Sequence, residues 1–136
     1  MSMETVKSVM KQAGWGFLAT TDGKQAAVRP MGGWAWVGKE LWCATGARSD
    51  KVRQVKKCSL AEYCFCDREG RHVRLSGPVD VSTRQADKDK LYELVPGLKE
   101  HIDDPKSPEY VVLRMKPTRI RLMATTGMQY TEVTPQ

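Results

Sequence analysis

The chain has 136 residues, 40% of them hydrophobic, which is enough for one core of ordinary size and short for two, so residues 1–136 are expected to form a single domain. The formal charge of +6, from 22 Lys and Arg against 16 Asp and Glu, suits an anionic small ligand or a nucleic acid. No apolar run approaches the roughly 20 residues of a membrane helix, and residues 1–14 lack a signal-peptide core, so no membrane association and a cytoplasmic location are expected.

In chain order, residues 4–13 place Val6, Val9 and Met10 at helical spacing and read as an amphipathic helix within an N-terminal segment 1–14. Residues 15–21 and 25–31 flank Asp22 and Gly23, a dipeptide that accepts the positive φ of a tight turn, and read as a β-hairpin. In its second strand Arg29 and Met31 share one face and Val28 and Pro30 the other. Pro30 donates no backbone hydrogen bond and favours a strand edge or end.

A third strand, residues 40–46, follows a turn at Gly38 and Lys39, with Leu41, Cys43 and Thr45 on one face and Thr45 at its exit. A helix over residues 50–58 comes next, with Val52 and Val55 to bury and Ser49 or Asp50 as N-cap. Arg48, Lys51, Arg53, Lys56 and Lys57 crowd this segment against the single acid Asp50. Either the helix N-terminus and its cations attract a phosphate, or the charges form a solvated basic face.

Residues 60–67 and 72–81 read as a second hairpin turning at 68–71, with Val73, Leu75, Gly77, Val79 and Val81 facing inward. Residues 85–95 read as a helix with Leu91, Leu94 and Val95 on one side, stopped by Pro96 and Gly97. A short turn at 98–102 and a loop at 103–108 lead to strands at 110–115 and 118–123, and then a tail, residues 124–136.

Cys43, Cys58, Cys64 and Cys66 show no CxxC spacing and the two histidines complete no ligand pattern, so no metal site is expected and the thiols are expected to be free. Trp15, Trp34, Trp36 and Trp42 read as core or interface packing ahead of stacking on a ligand. Only ten residues are Phe, Trp or Tyr, and no nucleic-acid aromatic signature accompanies the basic residues, so nucleic acid ranks below a small anionic ligand.

An arginine on the second strand, a threonine ending the third, and a serine and lysine at the next helix start occur here as Arg29, Thr45, Ser49 and Lys51. This series resembles the flavin-binding split-barrel family that includes pyridoxamine 5′-phosphate oxidases, bacterial general stress proteins, nitroimidazole reductase-like proteins and small FMN-binding electron carriers. The similarity spans residues 9–123. It implies a mainly β fold with flanking helices, a six-stranded antiparallel split β-barrel that binds FMN. By the same resemblance Lys51, Ser49 and Arg48 hold the phosphate and Arg29 lies near the phosphate or ring. Backbone groups of Pro30, Met31, Ala44 and Thr45 line the ring. His72 stands where the oxidases have a glutamine that contacts the flavin, and it would tune the ring.

The resemblance also implies a homodimer with the cofactor at the subunit interface. The activity it implies is an oxidoreductase using NAD(P)H or another small molecule, with alternatives in an electron carrier or sensor and in a haem- or deazaflavin-binding relative. Three departures argue against oxidation of pyridoxamine phosphate. Trp34 lies near the place of the oxidases' substrate lysine, Asp50 replaces the second basic residue of the phosphate clamp, and the oxidases' C-terminal tryptophan and arginine are missing. No catalytic acid, base or nucleophile is assigned.

Overall fold

The computed structural model describes residues 2–124 and 129–135. Met1, and residues 125–128 and Gln136 of the expected tail, lie outside the described residues. Helix α1 (Met3–Ala13) buries Val6, Val9 and Met10 on the stripe that its sequence spacing indicates and ends at Gly14, whose φ of 76° only glycine adopts without strain. Strands β1 (Gly16–Thr21) and β2 (Ala26–Met31) form the first hairpin. In its loop the Asp22 carboxylate accepts N–H bonds from Lys24 and Gln25, and Gly23 takes φ 95°.

Next come β3 (Trp34–Val37), β4 (Glu40–Gly46), helix α2 (Asp50–Lys57), β5 (Leu60–Cys66) and β6 (His72–Ser82). Helix α3 (Gln85–Leu94) runs into a 3₁₀ turn (Pro96–Glu100), and the described chain closes with β7 (Tyr110–Met115), β8 (Arg119–Met123) and β9 (Thr131–Val133). The sheet runs β2-β1-β5-β6-β7-β4-β3, with β8 on β6 and β9 on β8, every pairing antiparallel.

Strand β6 does the splitting. Residues His72 to Ser76 pair with β8 and Val79 to Ser82 pair with β7, so the strand leaves one neighbour for another at Gly77. The turn between β7 and β8 lies directly on that glycine: a Cβ there would stand 2.2 Å from the Lys116 carbonyl oxygen. No other residue allows this approach of two backbones.

Inside the barrel Leu18, Leu41, Cys43, Tyr63, Phe65, Val73, Leu75 and Leu113 are sealed from water, with α1 and Val52 and Val55 of α2 packed on them. A smaller cluster of Trp42, Leu91, Leu98, Tyr110 and Val112 forms where α3 and the 3₁₀ turn cover the other side of β4 and β7. Those two strands are buried on both faces, so their burial does not alternate.

The mainly β split-barrel class is what the structure shows. The strand count differs: nine strands pair in the sheet among the described residues, against the six of the expected barrel. Strand β3 gave no alternation because all four of its residues are half-buried, and β9 is a three-residue cover on β8 within the tail. In α3, Leu91 is buried but Leu94 is 48% exposed, while Asp87 and Lys88 are buried instead. Asp87 bonds Ser82 and Arg114, and the Lys88 ammonium donates to the Ser107 carbonyl.

Candidate functional site

The site forms where α2 begins over the open end of the barrel. Ser49 is the N-cap residue, extended at φ −72° and ψ 157°, yet its hydroxyl makes no capping bond. That hydroxyl is buried and has no hydrogen-bond partner among the described residues. A buried polar atom left unpaired costs about 1–3 kcal/mol, a cost that a bound hydrogen-bonding group would remove.

Two cations meet on the helix that Ser49 caps. Lys51, in the first turn of α2, is half-buried and titrates below the ordinary 10.5, first because of burial and then because Arg29 lies nearby. Burial likewise lowers Arg29 from its ordinary value. The Arg29 guanidinium donates to the Thr20 hydroxyl at 2.6 Å, the Gln54 side-chain oxygen at 3.0 Å and the Leu18 carbonyl at 3.2 Å. All three acceptors are neutral. Among the described residues neither Arg29 nor Lys51 forms an ion pair with a carboxylate. Two desolvated like charges without a counterion are unfavourable alone and become favourable around an anion.

The floor of this site is inert. Burial pushes the Cys43 thiol up to about 12, and burial with the neighbouring Cys43 holds the Tyr63 hydroxyl well above its usual value. Both stay protonated at neutral pH and supply no nucleophile.

The remaining expected site residues lie apart from this cation pair. Ala44 and Thr45 are half-buried at the β4 exit and line a cleft that continues toward residues 97–109. Met31 is buried in the core, and Pro30 is exposed on the opposite face of β2 from Arg29. Arg48 is almost fully exposed and pairs with Glu109 at 3.1 Å. His72 sits at the β5–β6 turn, its Nδ1 2.9 Å from the Gly70 carbonyl oxygen and its Nε2 2.7 Å from the Tyr130 hydroxyl. Thus Arg29 and Lys51 come together at α2, which Ser49 caps, Ala44 and Thr45 line the cleft at the β4 exit, and Arg48 and His72 are held by other partners.

Sequence reasoning missed Thr20 and Gln54, the groups that aim Arg29. Gln54 follows Lys51 by three residues and so shares its helix face, which is the signal that could have found it. The Thr20 side chain points inward with Leu18, the residue paired across the hairpin from Arg29. Among the described residues no three His, Cys, Asp or Glu side chains gather as metal ligands, and no helix is long and apolar enough to cross a membrane.

The fold is a split antiparallel barrel, and it carries a cation pair without carboxylate partners and a buried, unpartnered hydroxyl at a helix N-terminus. The chain belongs to the pyridoxamine 5′-phosphate oxidase-like family, whose model matches residues 1–132. A NimC/NimA family protein from Clostridium acetobutylicum superposes with a TM-score of 0.82 at 22% identity, covering 96% of this chain and 90% of that one. General Stress Protein 26 from Bacillus anthracis gives 0.77 at 16% identity over 95% and 96% of the two chains. A pyridoxamine 5′-phosphate oxidase-related, FMN-binding protein from Nostoc punctiforme gives 0.67 at 17% identity over 96% and 84%. At these identities the likeness is one of fold. No curated protein matches the chain.

Proposed function

We propose that the chain binds FMN, with Arg29, Ser49 and Lys51 on the phosphate, and acts as an FMN-dependent oxidoreductase on a small molecule. The observation that carries this reading is the buried Ser49 hydroxyl, without a partner, at the cap of the helix on which two cations that have no carboxylate meet. A phosphate dianion supplies acceptors for the hydroxyl and the free α2 N–H groups and charge for both cations. Membership of the family and the FMN-binding neighbour from Nostoc support the choice of flavin over other phosphates.

Bound FMN would supply the hydride or electron transfer. The protein's part is to hold and orient. Gln54 and Thr20 fix the Arg29 guanidinium. Ala44 and Thr45, with the backbone of Pro30 and Met31, lie at the strand ends assigned to the ring. Arg48 and His72 would join only by exchanging Glu109 and Tyr130 for the cofactor.

The apolar outer face of the hairpin, where Phe17 is 48% and Val28 68% exposed, supports a homodimer with the site near its interface. Four free thiols accord with a reducing cytoplasm. The deciding experiment is a visible absorption spectrum before and after FMN is added and the excess removed. Retained flavin bands support the reading, and their absence in both samples discards it. Turnover with NAD(P)H and an acceptor then separates oxidoreductase from carrier.

A further inference from the structure

A half-open cleft of about 760 Å³ runs from the β4 exit at Ala44 to Gly46 across to the 3₁₀ turn and the loop that follows it. That volume lies within the roughly 300–1,000 Å³ of small-molecule sites. Its lining is lopsided in two respects. Trp15, 63% exposed, offers a large aromatic surface over Gly32, where a Cβ would stand 3.3 Å from the indole. Its acidic lining residues are Glu100, Asp103, Asp104 and Glu109, joined by His101 and by no Lys or Arg.

The carboxylates are not all committed. Arg48 neutralises Glu109 from the edge, and Asp104 accepts the Lys106 backbone N–H at 2.9 Å. Glu100 and Asp103 have no ion-pair partner among the described residues, and neighbouring Lys99 lies over the Tyr92 ring. In a chain of net charge +6 this is a local reversal of sign around a concave aromatic wall. A molecule that satisfies both halves carries a planar ring for Trp15 and a protonated nitrogen for the carboxylates.

We infer that this cleft takes an arylalkylamine, a planar ring bearing a protonated aliphatic nitrogen, and rejects phosphorylated and other anionic molecules. The inference rests on the flavin reading in one respect: Ala44 and Thr45 border both the cleft and the strand ends assigned to the ring, which puts the amine on the substrate side. The test is isothermal titration calorimetry of the full chain, with and without FMN, using tryptamine and indole-3-acetate, which share an indole and differ in charge.

Tryptamine should bind at least about tenfold more tightly at low salt, with the preference shrinking at high salt as screening grows. The double variant Glu100→Gln, Asp103→Asn should lose most of that preference and keep the parent's FMN affinity and melting temperature. Equal or tighter binding of indole-3-acetate, binding of neither, or an unchanged preference in the double variant overturns the inference. A chain that refuses FMN but keeps the tryptamine preference overturns the flavin reading and sustains the cleft's specificity. One that takes FMN and shows no preference overturns the inference alone.

Discussion

Replacing Lys51 by Met removes a charge while keeping most of the aliphatic stem, and it should move ligand binding and ligand-free stability in different directions. A hydrogen bond to a charged group contributes about 1.5–3 kcal/mol, so losing the ammonium should weaken FMN binding about 12- to 140-fold. Without ligand the same ammonium is a burden, because burial and Arg29 hold its proton affinity below the ordinary 10.5. The unfolded chain binds that proton more tightly than the folded one. The cost is therefore fully present below the folded pKa, and stability rises as pH climbs from there toward 10.5. Lys51→Met should leave the ligand-free melting temperature at neutral pH equal or higher and abolish that alkaline rise. Quenching of FMN fluorescence reads the affinity, and scanning fluorimetry across the alkaline range reads the stability. Unchanged FMN affinity, or a ligand-free protein that melts several degrees lower, would refute the assignment of Lys51 to an anion site.

Ser49→Ala removes a hydroxyl that makes no bond in the ligand-free protein, so thermal melting should be unchanged or slightly higher while FMN titration shows affinity about fivefold weaker, the equivalent of about 1 kcal/mol. Gly77→Ala forces a Cβ against the Lys116 carbonyl, and chemical denaturation should show a loss of about 3 kcal/mol or more; a variant within 1 kcal/mol of the parent would deny the close backbone approach. Val28→Glu places a charge in the exposed apolar face of the hairpin and should convert a dimer to a monomer in light scattering without lowering the melting temperature of the separated chain.

The barrel was legible because most of its strands are wet on one side. In β2 exposed residues alternate with less exposed ones and in the first half of β6 half-buried residues alternate with buried ones, and the strand limits read from sequence fall within a residue or two of those observed. Strands β4 and β7 broke the rule: α3 and the 3₁₀ turn cover their outer faces, so Trp42 is buried along with its neighbour Leu41. Strand β3 was invisible for the opposite reason, since uniform half-burial leaves no contrast. Among the site residues, Arg29 and Lys51 could be named from their places at a strand end and a helix start. Arg48 shows the limit of that reasoning. Its spacing fits a phosphate clamp, but Glu109, sixty-one positions later and brought alongside by the pairing of β4 with β7, takes the charge first. Sequence spacing ranks the cations near a helix start; only the fold shows which of them have already found an acid.

That distinction also explains how one small domain can present opposite charges on the two sides of a single strand exit. Acids elsewhere on the chain neutralise most of the arginines in pairs such as Arg74 with Glu62, Arg114 with Asp80 and Arg119 with Glu132. Among the charges left without an ion-pair partner are two sets of opposite sign. Arg29 and Lys51 stand at the start of α2, and Glu100 and Asp103 stand across the cleft from Thr45. A net charge of +6 would steer any anion toward the protein at long range, but the local sign decides which end accepts it. An anionic headgroup would be drawn to α2 and a cationic partner to the far side of β4. The bound anion and the bound cation attract each other across the strand exit, so saturating FMN should tighten tryptamine binding and tryptamine should tighten FMN by the same factor.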